Sequence, residues 1–207
     1  MATPAERRPG TRGPLPGDHR QRLLDGMAAA VRERGFARCT VADVAREAGA
    51  SRRTFYAHFS DLDACYLALF EQFAERNLAA VAAAVGADGD PRERLEAAVG
   101  AYLEALERDP SLGASFFREL SLTGAAGRER LSAVNRRAGE AIHALALAVQ
   151  AQEPELGVEA MSVASARLLV AGIVQMALFA LDGDGELDEV RTEAAALLAR
   201  VLFSSPR

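Results

Sequence analysis

Thr40, Ser51, Arg52, Arg53, Thr54, Tyr56 and His58 lie within one run, TVADVAREAGASRRTFYAHF, at residues 40–59. These residue types form no nucleophile and no metal set; they suit non-covalent recognition of nucleic acid. A guanidinium fork matches the edge of guanine, and hydroxyls, phenols and imidazoles reach sugar and phosphate. One bidentate arginine–guanine pair contributes about 1–3 kcal/mol of discrimination. Arg52 and Arg53 are adjacent, so on a helix they point about 100° apart, and the expectation is that one of the two reads a base. Thr54 suits a thymine methyl or a phosphate. Thr40 suits a phosphate, through its hydroxyl and its backbone amide at a helix start.

Two short helices must present these groups. Val41, Val44, Ala45 and Ala48 recur at helical spacing, with Thr40 as N-cap and Asp43 three residues on to complete a capping box. Gly49 supplies the left-handed turn that ends the helix. Ser51 caps the second helix, whose Phe55 and Phe59 lie four apart on a buried face while the arginines, Thr54, Tyr56 and His58 take the other. A first helix, from about Asp18 to Arg34, carries Leu23, Leu24, Met27, Ala28 and Val31 as a core stripe; Gly35 stops it, and Phe36 is expected to fold back onto the same core. This is a three-helix unit with a helix-turn-helix, the motif that lays its second helix in the major groove.

From Arg20 to about Phe73 the chain resembles the DNA-binding domain of the TetR family of bacterial transcriptional regulators. The match rests on LLDGMAAAVRERGF, on residues 40–59 and on SDLDACYLALF. The resemblance implies sugar-phosphate contacts by Tyr56 and His58 and a fourth helix joining this unit to a helical regulatory body. It also implies a homodimer formed by the last two helices and a small effector enclosed among helices four to eight. Relatives often place a lysine where this chain has Leu62, so no phosphate role is assigned there.

The charge distribution agrees. The 207 residues carry a formal net charge of −5, with arginine as the whole of the basic complement. Residues 1–59 hold 11 Arg against 6 acids, or +5; residues 60–207 hold 13 Arg against 23 acids, or −10. A basic end on an acidic protein is a local footprint for phosphates. Residues 1–18, rich in Pro, Gly and Arg, are expected to be a disordered basic arm, either simply solvated or reaching into the minor groove.

Beyond the helix-turn-helix, Ser60–Asp63 reads as a capping box opening a helix to about Val85, and further helices are expected over about 91–108, a short stretch ending near Gly124, 127–151, 158–181 and 187–203. The fold class is therefore all-α: residues 19–60 as the DNA-binding domain, residues 61–207 as a helical effector-binding and dimerisation domain, about nine helices in all. The run Leu168–Leu181 is short of the roughly 20 residues of a bilayer span, so it is read as a buried helix and the protein as cytoplasmic with no membrane partner. Cys39 and Cys65 form no framework for a disulfide or zinc. Asp182–Glu193 departs from a calcium loop because Leu187 stands where glycine is required. No cofactor, metal or catalytic set is expected, and the chain is read as a non-enzyme.

Effector contacts are expected from Phe70, Phe73, Tyr102, Phe116, Phe117, Met176 and Phe179, with Asn135, His143, Arg167 and Gln175 as orienting polar groups. Ordinary core or interface packing is the competing reading of each. The expected partners are a double-stranded pseudo-palindromic operator, a small hydrophobic effector that releases a repressor, and a second copy of the chain. The alternative from another class is a small-molecule-binding helical protein with a nonspecific DNA-binding part.

Overall fold

Short polar caps and proline starts fix where the helices begin. In a computed structural model describing residues 16–152, 154 and 161–203, helices α1 (Pro16–Arg34), α2 (Val41–Glu47), α3 (Arg52–His58) and α4 (Leu62–Val85) are followed by α5 (Pro91–Arg108) and α6 (Pro110–Glu119). Then come α7 (Gly124–Gln152), α8 (Val163–Leu181) and α9 (Leu187–Leu202), with 3-10 turns at Phe36–Arg38 and Leu120–Thr123. The chain is all-α. Pro91 and Pro110 sit in the first turns of α5 and α6 behind Asp90 and Asp109 caps, where a missing N–H costs nothing.

Several boundaries move from the sequence expectation. The basic arm lies outside the described residues up to residue 15, and residues 16–18 are already the first turn of α1. Asp61, rather than Ser60, caps α4 by accepting from the Ala64 N–H at 2.7 Å, because the Ser60 hydroxyl instead donates to the Asp61 carboxylate. Helix α8 starts at Val163 behind the Ser162 cap; residues 155–160 lie outside the description.

Two apolar cores divide the molecule. The first joins α1, α2 and α3 to the start of α4 and to Leu112, Phe116 and Leu120, with Phe36 stacked on Tyr66 at 3.8 Å between ring centres. The second joins α5, the far part of α7, α8 and α9 around Leu103, Leu106, Val149 and Leu198. Helix α4 serves both. Its Cys65, Tyr66, Leu67, Leu69, Phe70 and Ala74 are buried in the first core, and from Glu75 onward it lines a cavity bordering the second.

The reading of α8 as a buried helix is corrected. It is 19 residues long with a mean hydropathy of 1.8, enough by length and composition to cross a bilayer, yet only 17% of that window is buried. Ala166, Ala177 and Leu178 face inward, and Gly139 of α7 lies so close to it that an added Cβ would meet the Arg167 side chain at 2.5 Å. The opposite face leaves Leu168, Met176 and Phe179 exposed, and Leu197 and Val201 of α9 are exposed as well. The apolar character of α8 all round therefore comes from two different surfaces, one packed and one bare.

Candidate nucleic-acid interface and effector cavity

Helices α2 and α3 have seven residues each, too short to hold themselves in water, so the surrounding side chains must place them. The Thr40 hydroxyl accepts from the Asp43 N–H at 3.2 Å, and the Asp43 carboxylate accepts from both the Thr40 N–H at 3.0 Å and its hydroxyl at 2.6 Å. That hydrogen bonding from Thr40, ahead of the nearby Arg34 and Arg46 charges, holds the Asp43 carboxyl below its usual range. At the other end the Ala50 N–H reaches the Ala45 carbonyl and the Gly49 N–H the Arg46 carbonyl, the two bonds of a Schellman turn, with Gly49 at φ 56°.

Helix α1 is stitched to this turn. Arg22 donates to the Ala48 and Gly49 carbonyls at 2.7 and 2.9 Å, and Arg34 donates to Asp43 at 2.8 Å. Gly26 allows the backbones to meet: a Cβ there would lie 2.7 Å from the Val44 carbonyl oxygen. None of these three was singled out from sequence. An isolated glycine inside a helical stripe was the available signal; the arginine ties had none.

On the resulting face Arg52, Arg53 and Tyr56 are exposed, and neither arginine has an ionic partner among the described residues. Ser51 caps α3 by accepting from the Thr54 N–H at 3.0 Å, and its hydroxyl also pairs with that of Thr54 at 2.9 Å. Tyr56 stands edge-on to buried Phe55. His58 is half-buried near His19, 6.4 Å between ring centres. Thr40 is exposed at the start of α2, but its hydroxyl and amide donors are both spent on Asp43, so a phosphate would have to displace that box. Thus Ser51, Arg52, Arg53, Thr54, Tyr56 and His58 share one helix and its cap, while Thr40 caps the preceding helix of the motif.

A cavity of about 540 Å³ opens among α4, α5, α7 and α8, within the range of small-molecule sites. Leu78, Val99, Ile142, Ile173 and Val174 give it apolar walls, and Ala79, Ala82, Ala98, Ala138 and Ala141 leave the space. Tyr102 is the one residue of the expected effector set that lines it. Its hydroxyl makes no hydrogen bond among the described residues, and burial pushes its pKa up. Glu75 and Arg137 supply the charged lining.

The other expected effector residues sit elsewhere. Phe70 and Phe73 each pack on Phe116, with ring centres 5.3 and 5.2 Å away, and Phe117 is half-buried on α6. Asn135 accepts from Arg167 at 3.2 Å, and His143 Nδ1 lies 2.5 Å from the Met161 carbonyl oxygen. Gln175, Met176 and Phe179 face outward on α8. The aromatics fill space rather than enclose it.

The geometry defines a class: an all-α helix-turn-helix protein with a helical body that encloses an apolar cavity. Residues 23–69 match the model of the bacterial regulatory proteins of the TetR family. Over 96 residues the chain is 32% identical to the HTH-type transcriptional activator FasR of Mycolicibacterium smegmatis, a match covering 46% of this chain and 44% of that relative. The chain thus aligns with less than half the length of that curated relative. A crystal structure of a TetR-family regulator from Syntrophomonas wolfei superposes with a TM-score of 0.75 at 16% identity, covering 90% of this chain and 96% of that one. The regulator FadR of Bacillus subtilis, solved with stearoyl-CoA, gives 0.74 at 17% identity over 88% and 98%. The N-terminal unit is thus similar in sequence to the TetR family, and the described body shares the fold of the regulator from Syntrophomonas wolfei.

Proposed function

We propose that this protein is a homodimeric, effector-responsive transcriptional regulator. One observation carries the reading: an exposed recognition helix, whose two arginines have no ionic partner among the described residues, stands on the same chain as a separate apolar cavity of ligand size. In this reading residues 19–60 bind DNA and residues 61–207 sense and dimerise. The exposed stripes of α8 and α9 meet their copies across a two-fold axis, setting two α3 helices roughly 34–36 Å apart for successive major grooves of an inverted repeat. Arg52 or Arg53 reads a base, while Tyr56, His58 and the remaining arginine hold the backbone.

The effector is an apolar or amphiphilic molecule. The alanine- and valine-lined walls support this, and so does stearoyl-CoA in the Bacillus subtilis neighbour. Ligand binding favours a dimer whose reading helices no longer fit the repeat, and DNA is released. The output is repression; the activator FasR represents the opposite sign, which a reporter assay distinguishes.

The test is selection of DNA from a random library by the purified chain, followed by Arg52→Ala and Arg53→Ala. An inverted repeat should be enriched, and at least one variant should relax base preference at one position per half-site. Enrichment of no inverted repeat, in the presence or absence of saturated acyl-CoA, would sink the reading.

A further inference from the structure

Besides the Phe36 ring stacked on Tyr66, the linker between α1 and α2 has two backbone amides held by one carboxylate of the body. Glu119, at the C-terminal end of α6, accepts from the Phe36 N–H at 2.9 Å and from the Ala37 N–H at 3.1 Å, across more than 80 residues of sequence. The Ser115 hydroxyl, one turn back on α6, donates to the same carboxylate at 2.6 Å and lies 2.8 Å from the Tyr66 hydroxyl of α4. Gly35, at φ 75°, brings the linker into contact: a Cβ there would stand 3.1 Å from the Glu119 carboxylate. At the opposite end of α6 Asp109 caps the helix and pairs with Arg32 of α1 at 2.5 Å. Helix α6 therefore lies along the end of α1 as a strut pinned at both ends.

The two pins differ in kind. Arg32 is half exposed, and an exposed ion pair of that sort holds little. The Glu119 pin uses two backbone amides and a hydroxyl on an ionised acceptor, which are short and directional bonds. Burial pushes the Glu119 carboxyl up, but the Ser115, Ala37 and Phe36 donors outweigh it and leave the group below its ordinary range, so it is an anion at neutral pH. The amides it holds belong to the only segment that leads from α1 into α2. From there the Arg22, Gly26 and Arg34 contacts carry the position on to the turn before α3.

We propose that Glu119 is a positioning residue for DNA recognition: it sets the angle at which the body presents the helix-turn-helix, and thereby how strictly the dimer measures the distance between half-sites. This rests on the dimeric DNA-binding reading above. Inserting one base pair shifts a half-site by about 3.4 Å and turns it by about 34–36°. A head locked to its body does not follow such a displacement. A head released at the linker does.

The test uses the full chain and the inverted repeat found by selection, with one or two base pairs inserted or removed between half-sites, and a single half-site as reference. Wild type should lose about tenfold or more in affinity for each altered spacing. Glu119→Gln keeps one carbonyl acceptor but turns an amide N–H toward a backbone donor. It should bind the single half-site and the best spacing within about threefold of wild type, with the loss at altered spacings falling to about threefold. Ser115→Ala, which removes one donor and leaves both amide bonds, should lie between the two and serves if Glu119→Gln does not fold. Hydrogen exchange at Phe36 and Ala37 should quicken in Glu119→Gln. An unchanged spacing profile in a folded variant, or equal weakening on every DNA including the half-site, would overturn the positioning role alone. Failure of wild type to prefer any inverted repeat would overturn the functional reading and this one with it.

Discussion

Replacing Gly26 by alanine should cost stability although it improves helix propensity. The added methyl would lie 2.7 Å from the Val44 carbonyl oxygen, 2.8 Å from the Ala48 nitrogen and 3.0 Å from the Ala48 Cβ. The first two atoms are bonded to each other, Ala48 N–H to Val44 carbonyl at 2.9 Å, in the last hydrogen bond before the turn. The methyl thus presses on that bond, and because both atoms are backbone, no side chain can swing aside. Overpacking of this kind costs about 1–3 kcal/mol. The alanine returns about 1 kcal/mol of helix propensity. With backbone on the receiving side the cost should fall near its upper limit, leaving a net loss of about 2 kcal/mol. For a chain of this length that is a fall in Tm of about 4–8 °C, measured by calorimetry or urea titration. Hydrogen exchange should localise the loosening to residues 41–50. A Gly26→Ala protein as stable as wild type or more so would refute the close approach of α1 and α2, since the residue would then behave as a free helical glycine.

Three other outcomes are expected. Gly172→Arg, on the bare face of α8 where an added Cβ meets nothing within 4 Å, should leave the fold intact and turn a dimer into a monomer by sedimentation at micromolar concentration; a dimer of unchanged affinity would exclude α8 as the contact. Burial pushes the Cys39 thiol up to about 11 and the Cys65 thiol up to about 12. At pH 8 about one Cys39 in a thousand is thiolate and fewer still of Cys65, so alkylation of native protein should be slower by about a hundredfold or more than after unfolding; rapid native labelling would contradict the burial. Asp43 has a depressed pKa in the fold, so its contribution is present above the unfolded carboxyl value of about 3.9 and is lost as the pH falls through the lower folded value. Thermal unfolding of wild type and Asp43→Asn should therefore differ at pH 7 and converge below about pH 4; a constant difference across that range would remove the ionised capping box as its cause.

The helix-turn-helix was legible because its determinants are local. A threonine cap with an acid three residues on, a glycine in the left-handed turn and two phenylalanines four apart each act within one or two turns of chain. What escaped notice acts across long separations: Arg22 on Gly49, Gly26 under Val44, Glu119 on Phe36. Such pairs leave no periodicity to read. The cavity is hard to read from sequence for a different reason. Large aromatics suggest ligand walls, but in a close-packed interior they are the residues that remove empty space, and Phe70, Phe73 and Phe116 close up the first core. The alanine-rich second half of α4 gave the better signal, since a long helix with short side chains cannot fill the gap to its neighbours. Helix α8 shows the same ambiguity: an apolar face reads alike from sequence whether its own chain or a partner covers it.

The shared helix gives the proposed effector its reach. Helix α4 has 24 residues and so spans about 36 Å. Its first half is locked into the core that holds α1 and α3, and its second half, from Glu75 to Val85, forms one wall of the cavity. A ligand that separates α4 from α5 acts on a rod whose other end bears on the DNA-reading unit, and α5 leads directly through Asp109 into α6. Both routes converge near the α1–α2 linker, by way of Tyr66, Ser115 and Glu119. The seven-residue reading helix has no stability of its own with which to resist such a displacement. Its orientation is set by α1 and α2, and α1 in turn packs on α4, which walls the cavity, and on α6, which continues from the wall helix α5.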